Sequence, residues 1–225
     1  VRVAFFDLDK TILSVNSGTL WVRRETALGH LGKRDALRAM TWLARYTLGF
    51  ASAEAMVAQA VAHLTGTEAA PLRERTERFF HDEVRRTYRP GALEAIRAHR
   101  ANGERLVMLT SSSNYLSELV AAELGFDEVR CNRLEVDAAG RHTGRVTGGI
   151  CFGPGKLPHA QAAATEAGAS MSTATFYTDS YSDLAVLEAV AHPVAVNPDP
   201  RLRRFALRRG WRVVDWGVAV GVRAA

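Results

Sequence analysis

The chain has 225 residues, 47% hydrophobic and 24% charged, which is enough for one folded domain or a core with a small insert. Lys and Arg number 29 against 24 Asp and Glu, a net charge of +5, but the basic residues come in short pairs such as Arg23-Arg24, Arg85-Arg86 and Arg203-Arg204. No basic run tracks phosphates along a nucleic acid, and no apolar stretch is long enough to span a bilayer, so nucleic-acid partners and stable membrane insertion are excluded as expectations.

In chain order, Val3 to Phe6 is a short apolar run of the kind that forms a buried parallel strand. The start VRVAFFDLDK reads as this strand and not as a leader, because charge interrupts it at once. The strand ends in FFDLDKTIL, which places Asp7 and Asp9 at a carboxyl end, where ligands bind in open α/β sheets. Alternation turns both side chains the same way. Two close carboxylates repel and call for a cation or a proton between them, which suits Mg²⁺, an ion of oxygen ligands that leaves room for a substrate phosphate. Taken alone, such a pair also occurs in metal-dependent glycosyltransferases.

From about Asn16 to Arg86 no strand pattern occurs. Helices are expected through Trp21 and Leu28, through Leu37, Trp42 and Tyr46, through Met56 and Val61, and through Leu72 and Phe79, with breaks at Gly29, Gly32, Gly49 and Gly66. An insert at this point sits as a cap over the carboxyl end of the first strand. The division is residues 1–15 and 87–225 as an α/β core and 16–86 as a helical cap.

Helical spacing returns over Gly91 to Ala101, and Arg105 to Leu109 reads as the next strand. The run LVMLTSSSNYL carries that strand through Thr110 and Ser111 to a helix starting near Asn114 and continuing over Tyr115 to Leu124. Hydroxyls and free N–H groups at a helix start make an anion site, although Ser and Thr there are commonly plain caps. Asn132 to Gly149 alternates around a Gly-containing turn and reads as a small β-hairpin. Cys131 and Cys151 are the only cysteines, expected as buried free thiols in a reducing compartment, the cytoplasm.

GPGKLPHA places Lys156 at the start of a helix over Lys156 to Glu166. It is not a P-loop, because the Gly spacing is wrong and Leu157 stands where Ser or Thr is required. Lys156 is one of only three lysines, with Lys10 and Lys33, in a chain that otherwise uses Arg. It reads either as a cation for phosphoryl charge or as a surface lysine. Ala174 to Tyr177 is a further strand, followed by Asp179 and by Asp183 near the start of a helix over Ser182 to Val190. These acids face the crevice or simply decorate a helix N-terminus. Pro193 to Val196 and Val213 to Trp216 complete the alternation. The fold class is α/β: an open parallel Rossmann-like sheet with helices on both faces, a helical cap after the first strand and a small β-hairpin.

Four motifs in order, each at a strand's carboxyl end or on the following helix, resemble the haloacid dehalogenase superfamily: D-x-D-x-T from Asp7 to Thr11, then Thr110, then Lys156, then the D-x-x-x-D of Asp179 and Asp183. The helical insert and the run from Tyr177 through Val196 to Pro198 resemble the branch that contains phosphoserine phosphatase. The resemblance implies a Mg²⁺-dependent phosphatase acting on a small phosphorylated metabolite, with Asp7 as nucleophile and Asp9 as acid and base. It implies metal held by Asp7, the Asp9 carbonyl and Asp179, and phosphate held by Thr110, Ser111 and Lys156. Asp183 would orient Lys156 or a metal-bound water. Two positions depart from the pattern: T-D-S-Y-S-D has Ser182 where relatives have Asn, and Asn16 stands where phosphoserine phosphatases have an acid that pairs with the substrate ammonium.

Ser14, Asn16 and Ser17 can hydrogen-bond a substrate or only cap the first helix. Trp21, Trp42, Tyr46 and Phe50 can line an apolar pocket or serve as core of the cap. The uncharged Asn16, Ser14 and Ser17 suit a hydroxylated or neutral substrate better than an α-amino phosphate, and the candidates are amino-alcohol phosphates such as histidinol phosphate, phosphoserine itself and lipid head-group phosphates. Two other readings compete. The mix of Trp, Leu and Arg over Leu37 to Phe50 suits a membrane-peripheral enzyme acting on lipid head groups. A non-catalytic regulatory module on the same fold is the third.

Overall fold

The computed structural model describes residues 1–32, 37, 41 and 53–218. Strand β1 (Val3–Phe6) is central, with β2 (Arg105–Ser113) and β5 (Thr175–Thr178) parallel to it on either side. Beyond β2 lies β3 (Glu128–Val136), parallel, and then β4 (His142–Thr147), antiparallel. Beyond β5 lie β6 (His192–Val196) and β7 (Arg212–Val214), both parallel. The seven strands run β4-β3-β2-β1-β5-β6-β7. The chain proceeds outwards one way through β2 and the other way through β5, so a crevice opens at the carboxyl ends of β1 and β5.

Strand periodicity divides the core. Ala4, Phe6, Leu106 and Met108 pack on one face with Ala92 and Ile96 of α4 (Pro90–Ala101) and Leu116 and Val120 of α5 (Asn114–Leu124). Val3, Phe5, Val107 and Leu109 pack on the other, against α6 (Lys156–Glu166), α7 (Leu184–Ala189) and α8 (Pro200–Arg209). Helices therefore cover both faces, as expected.

The insert contributes α1 (Ser17–Ala27), α2 (Ala53–Ala62) and α3 (Ala69–Asp82). The helix expected through Leu37, Trp42 and Tyr46 lies outside the described residues, as do Trp42, Tyr46 and Phe50 as pocket candidates. Two segments join insert to core side by side: Leu13 bridges Tyr88, Ser14 N–H donates to Thr87 O (2.8 Å), and Arg89 N–H donates to Ile12 O (2.8 Å). At its far side the insert docks on the β3–β4 hairpin through Gly66 N–H to His142 O (2.8 Å), His142 N–H to Thr67 O (2.9 Å) and Ala69 N–H to Gly140 O (2.9 Å). Val61 packs there with Tyr115 and Leu134.

Three elements differ from their sequence reading. The hairpin is no separate unit: its first strand begins at Glu128 and pairs with β2, so the hairpin extends the main sheet. The helix expected from Ser182 begins at Leu184, because a tight turn over Tyr181–Asp183 precedes it. β7 stops at Val214 because Asp215 turns the chain, its carboxylate accepting from Gly217 N–H (2.8 Å) and Asn197 Nδ2 (2.6 Å). Among the described residues no helix is long and apolar enough to cross a membrane.

Candidate active site

Asp7 follows β1 directly, its N–H bonded to Tyr177 O (2.9 Å) on β5, which fixes it over the crevice. Asp9 is extended (φ −67°, ψ 131°) and Lys10 is left-handed (φ 57°), a conformation that costs a non-glycine residue about 1 kcal/mol. The turn is held by Leu13 N–H to Leu8 O (2.9 Å), Lys10 N–H to Val15 O (3.0 Å) and Arg89 Nε to Lys10 O (3.1 Å). Arg89 is buried and also donates to Gly217 O. Its sequence setting gave no sign of this role, since the contact spans 79 positions.

The centre of the site is a buried ion-pair chain. Lys156 Nζ donates to Asp7 Oδ1 (2.9 Å) and to Asp183 Oδ2 (2.8 Å), and Thr178 Oγ1 donates to the same Asp183 oxygen (2.7 Å). Lys156 is 3% exposed, which rules out the surface-lysine reading. Burial alone would lower its pKa, but Asp183 and Asp7 outweigh that and hold the ammonium well above its ordinary range. Two glycines bring it there. Gly153 has a positive φ (49°) and lies close to Ser182 O, while a Cβ on Gly155 would stand 2.4 Å from Ile150 O.

Thr110 is fully buried at the carboxyl end of β2, where the register against β3 shifts between Leu109 and Ser113. Such a bulge re-aims side chains. Ser112 N–H donates to Thr110 Oγ1 (3.1 Å). Asn132, which the sequence reading did not single out, braces the turn by donating to Ser111 O (2.7 Å) and accepting from Cys151 N–H (2.9 Å). Both cysteines are buried free thiols.

Asp179 follows β5, and its carbonyl accepts from Asp199 N–H (2.8 Å). Burial, then Asp7 and Asp183, push its carboxyl well above the ordinary value. Burial, with Asp183 adding to it against the pull of Lys156, raises Asp7 to about 7. Asp9 is also raised by burial, against the hydrogen bond its Oδ1 accepts from Ser17 N–H (2.7 Å) at the start of α1. Asn16 caps that helix, its Oδ1 accepting from Thr19 N–H (2.9 Å) and Thr19 Oγ1 (3.0 Å). Thus Asp7, Asp9, Asp179, Asp183 and Lys156 interact at one crevice, Thr110 and Ser111 lie in the carboxyl-terminal half of the neighbouring β2, and Asn16 serves α1.

This donor set suits a divalent cation. Lys156 neutralises only part of the charge: Asp7 and Asp183 still add to burial in raising Asp179, and Asp183 does the same to Asp7. Among the described residues no three His, Cys, Asp or Glu side chains gather as a metal site by themselves. Two carboxylates, a carbonyl and water are the ligands Mg²⁺ ordinarily takes.

Residues 4–188 match the model of the haloacid dehalogenase-like hydrolases. A phosphoserine phosphatase from Mycobacterium tuberculosis is 30% identical over 220 residues, covering 96% of this chain and 71% of that protein. A histidinol-phosphatase from Neisseria meningitidis is 25% identical, covering 96% of this chain and 99% of its own. A protein of unknown function from Bordetella pertussis superposes with a TM-score of 0.87 at 30% identity, covering 96% of this chain and 99% of that one. A phosphoserine phosphatase solved as a phospho-aspartyl intermediate analogue shares the fold, with a TM-score of 0.70 at 17% identity over 97% of this chain and 94% of that one. With its ordered motifs gathered at one crevice, the chain belongs to the haloacid dehalogenase-like hydrolase family, among its phosphatases.

Proposed function

We propose that this chain hydrolyses a small phosphomonoester with Mg²⁺, through an aspartyl phosphate on Asp7. The observation that carries the reading is the buried Asp7–Lys156–Asp183 chain beside the unneutralised Asp179. Lys156 holds Asp7 Oδ1, which leaves Oδ2 to attack phosphorus. As that bond forms the P–O ester bond breaks, and Asp9, whose pKa burial raises, gives its proton to the departing oxygen. Asp9 then takes a proton from water, which attacks phosphorus and breaks the aspartyl bond, releasing phosphate. Thr110, Ser111 and Lys156 hold the phosphoryl oxygens. Asp7, Asp179 and the Asp9 carbonyl would hold the metal, which supplies positive charge to the phosphoryl group when bound. Asp183 positions Lys156.

For the substrate we favour an amino-alcohol or phosphoserine-like phosphate, the classes named for two relatives. Asn16 carries no charge and is engaged with Thr19, so any contact it makes to substrate is a neutral one. We assign residues 16–86 as the cap and residues 1–15 and 87–225 as the core, which fits the paired crossing at Leu13 and Tyr88. The two buried free thiols accord with a cytoplasmic setting.

The test is phosphate release over a panel of phosphomonoesters, with Mg²⁺ and with chelator, for the wild type and Asp7→Asn. Release is expected only with the metal and only in the wild type. Appreciable turnover by Asp7→Asn would refute the covalent route.

A further inference from the structure

We propose that α8 forms a second anion site, beside the loop that carries Asp179 and Asp183, for a soluble ligand with two or more linked phosphates. The helix Pro200–Arg209 buries Leu202 and Ala206 in the core, which leaves its arginines outside. Arg201, Arg204 and Arg208 fall on one stripe, which rises about 10 Å along the helix. With Tyr181 they line an open cleft of ≈370 Å³. Among the described residues none of these three has a carboxylate within ion-pair distance, whereas Arg209 on the same helix pairs with Glu188 at 2.7 Å. Their other contacts leave most guanidinium N–H groups free. Arg201 lies 3.9 Å over the Tyr181 ring, Arg208 lies 5.9 Å from the Phe205 ring, and Arg204 Nε donates to Pro200 O (3.2 Å). Asp199, the nearest acid in sequence, is occupied by three N–H groups, those of Arg201, Leu202 and Tyr181.

Unpaired guanidinium groups around a cleft are built for phosphate oxygens, which they bind in pairs. One phosphate is too short to reach along the whole stripe, whereas linked phosphates extend further along it and meet more of the arginines. A flat anionic lipid surface is the competing source, because Leu207 on this helix is 61% exposed. None of the proposed catalytic residues lines the cleft, but it touches the loop of Asp179: Tyr181 N–H and Asp179 O are both held by Asp199, at 2.7 and 2.8 Å.

Binding of inorganic tripolyphosphate to the full chain, followed by titration calorimetry without added metal, tests this. Wild type should bind, and more weakly as salt is raised. The double variant Arg204→Gln/Arg208→Gln, at two exposed positions, should lose about tenfold or more in affinity while its melting temperature stays unchanged. Equal affinity in the variant, or no binding by the wild type, overturns the site. Arginine-dependent co-sedimentation with phosphatidylglycerol vesicles, without tripolyphosphate binding, would assign the surface to lipid and overturn the soluble ligand. Neither arm needs turnover, so the outcome is independent of the phosphatase reading.

Discussion

Lys156 touches two carboxylates in a place that water barely reaches, so its charge holds the site together whatever its proposed service to phosphate. Removing one partner of such a pair leaves the others charged, buried and unmatched. Lys156→Met is therefore expected to cost about 3–5 kcal/mol in urea unfolding without metal. The deficit should shrink on acidification, as Asp7 protonates and needs no partner. An unchanged midpoint would show that the pair is not buried as described. Asp7, Asp9, Lys156, Asp179 and Asp183 each sit beside a strand or helix signal, but singly each had a plain reading as well, and only their order as family motifs pointed to one crevice. Arg89 and Asn132 were not legible in the sequence, because their contacts cross 79 and 21 positions and leave no local pattern.

The same distinction holds for elements. Strands β1 and β5 are buried on both faces, as is β2 from Leu106 to Thr110, and their apolar runs stand out. β3 carries Glu128, Arg130, Asn132 and Arg133 among its apolar residues, since several of its positions are partly open to solvent, and only its hairpin half was visible. The loop before α6 is sensitive to a single atom. Gly155→Ala places a methyl 2.4 Å from Ile150 O, so the loop has to shift. Overpacking of this kind is expected to cost about 1–3 kcal/mol and to lower turnover by displacing Lys156. Urea midpoints and kcat measured together check this. A variant as stable and as active as the wild type would mean that the loop is slack.

For the whole molecule the carboxylates set a pH dependence. Asp7, at about 7, and Asp9 and Asp179, both raised from 3.8, hold protons more tightly folded than unfolded. Their contribution to stability is full below the ordinary carboxyl pKa and is lost as pH rises through the folded values. The metal-free protein is thus expected to melt at a lower temperature at about pH 7.5 than at about pH 5, as far as these groups decide. If Mg²⁺ is held by these carboxylates as proposed, it takes their ionised form, and its stabilisation should be larger at the higher pH. Equal stabilisation by Mg²⁺ at both values would count against these carboxylates as its ligands.

The insert is fastened twice, at the paired crossing strands and at the β3–β4 hairpin. A movement that lifts it from the hairpin must break the bonds made by the amides of Gly66, Ala69 and His142, and each amide then meets solvent. Deuterium uptake at these three positions is therefore a clock for any lifting of the insert. Compared with the turnover number, it tells whether chemistry or the traffic of molecules through the crevice sets the pace.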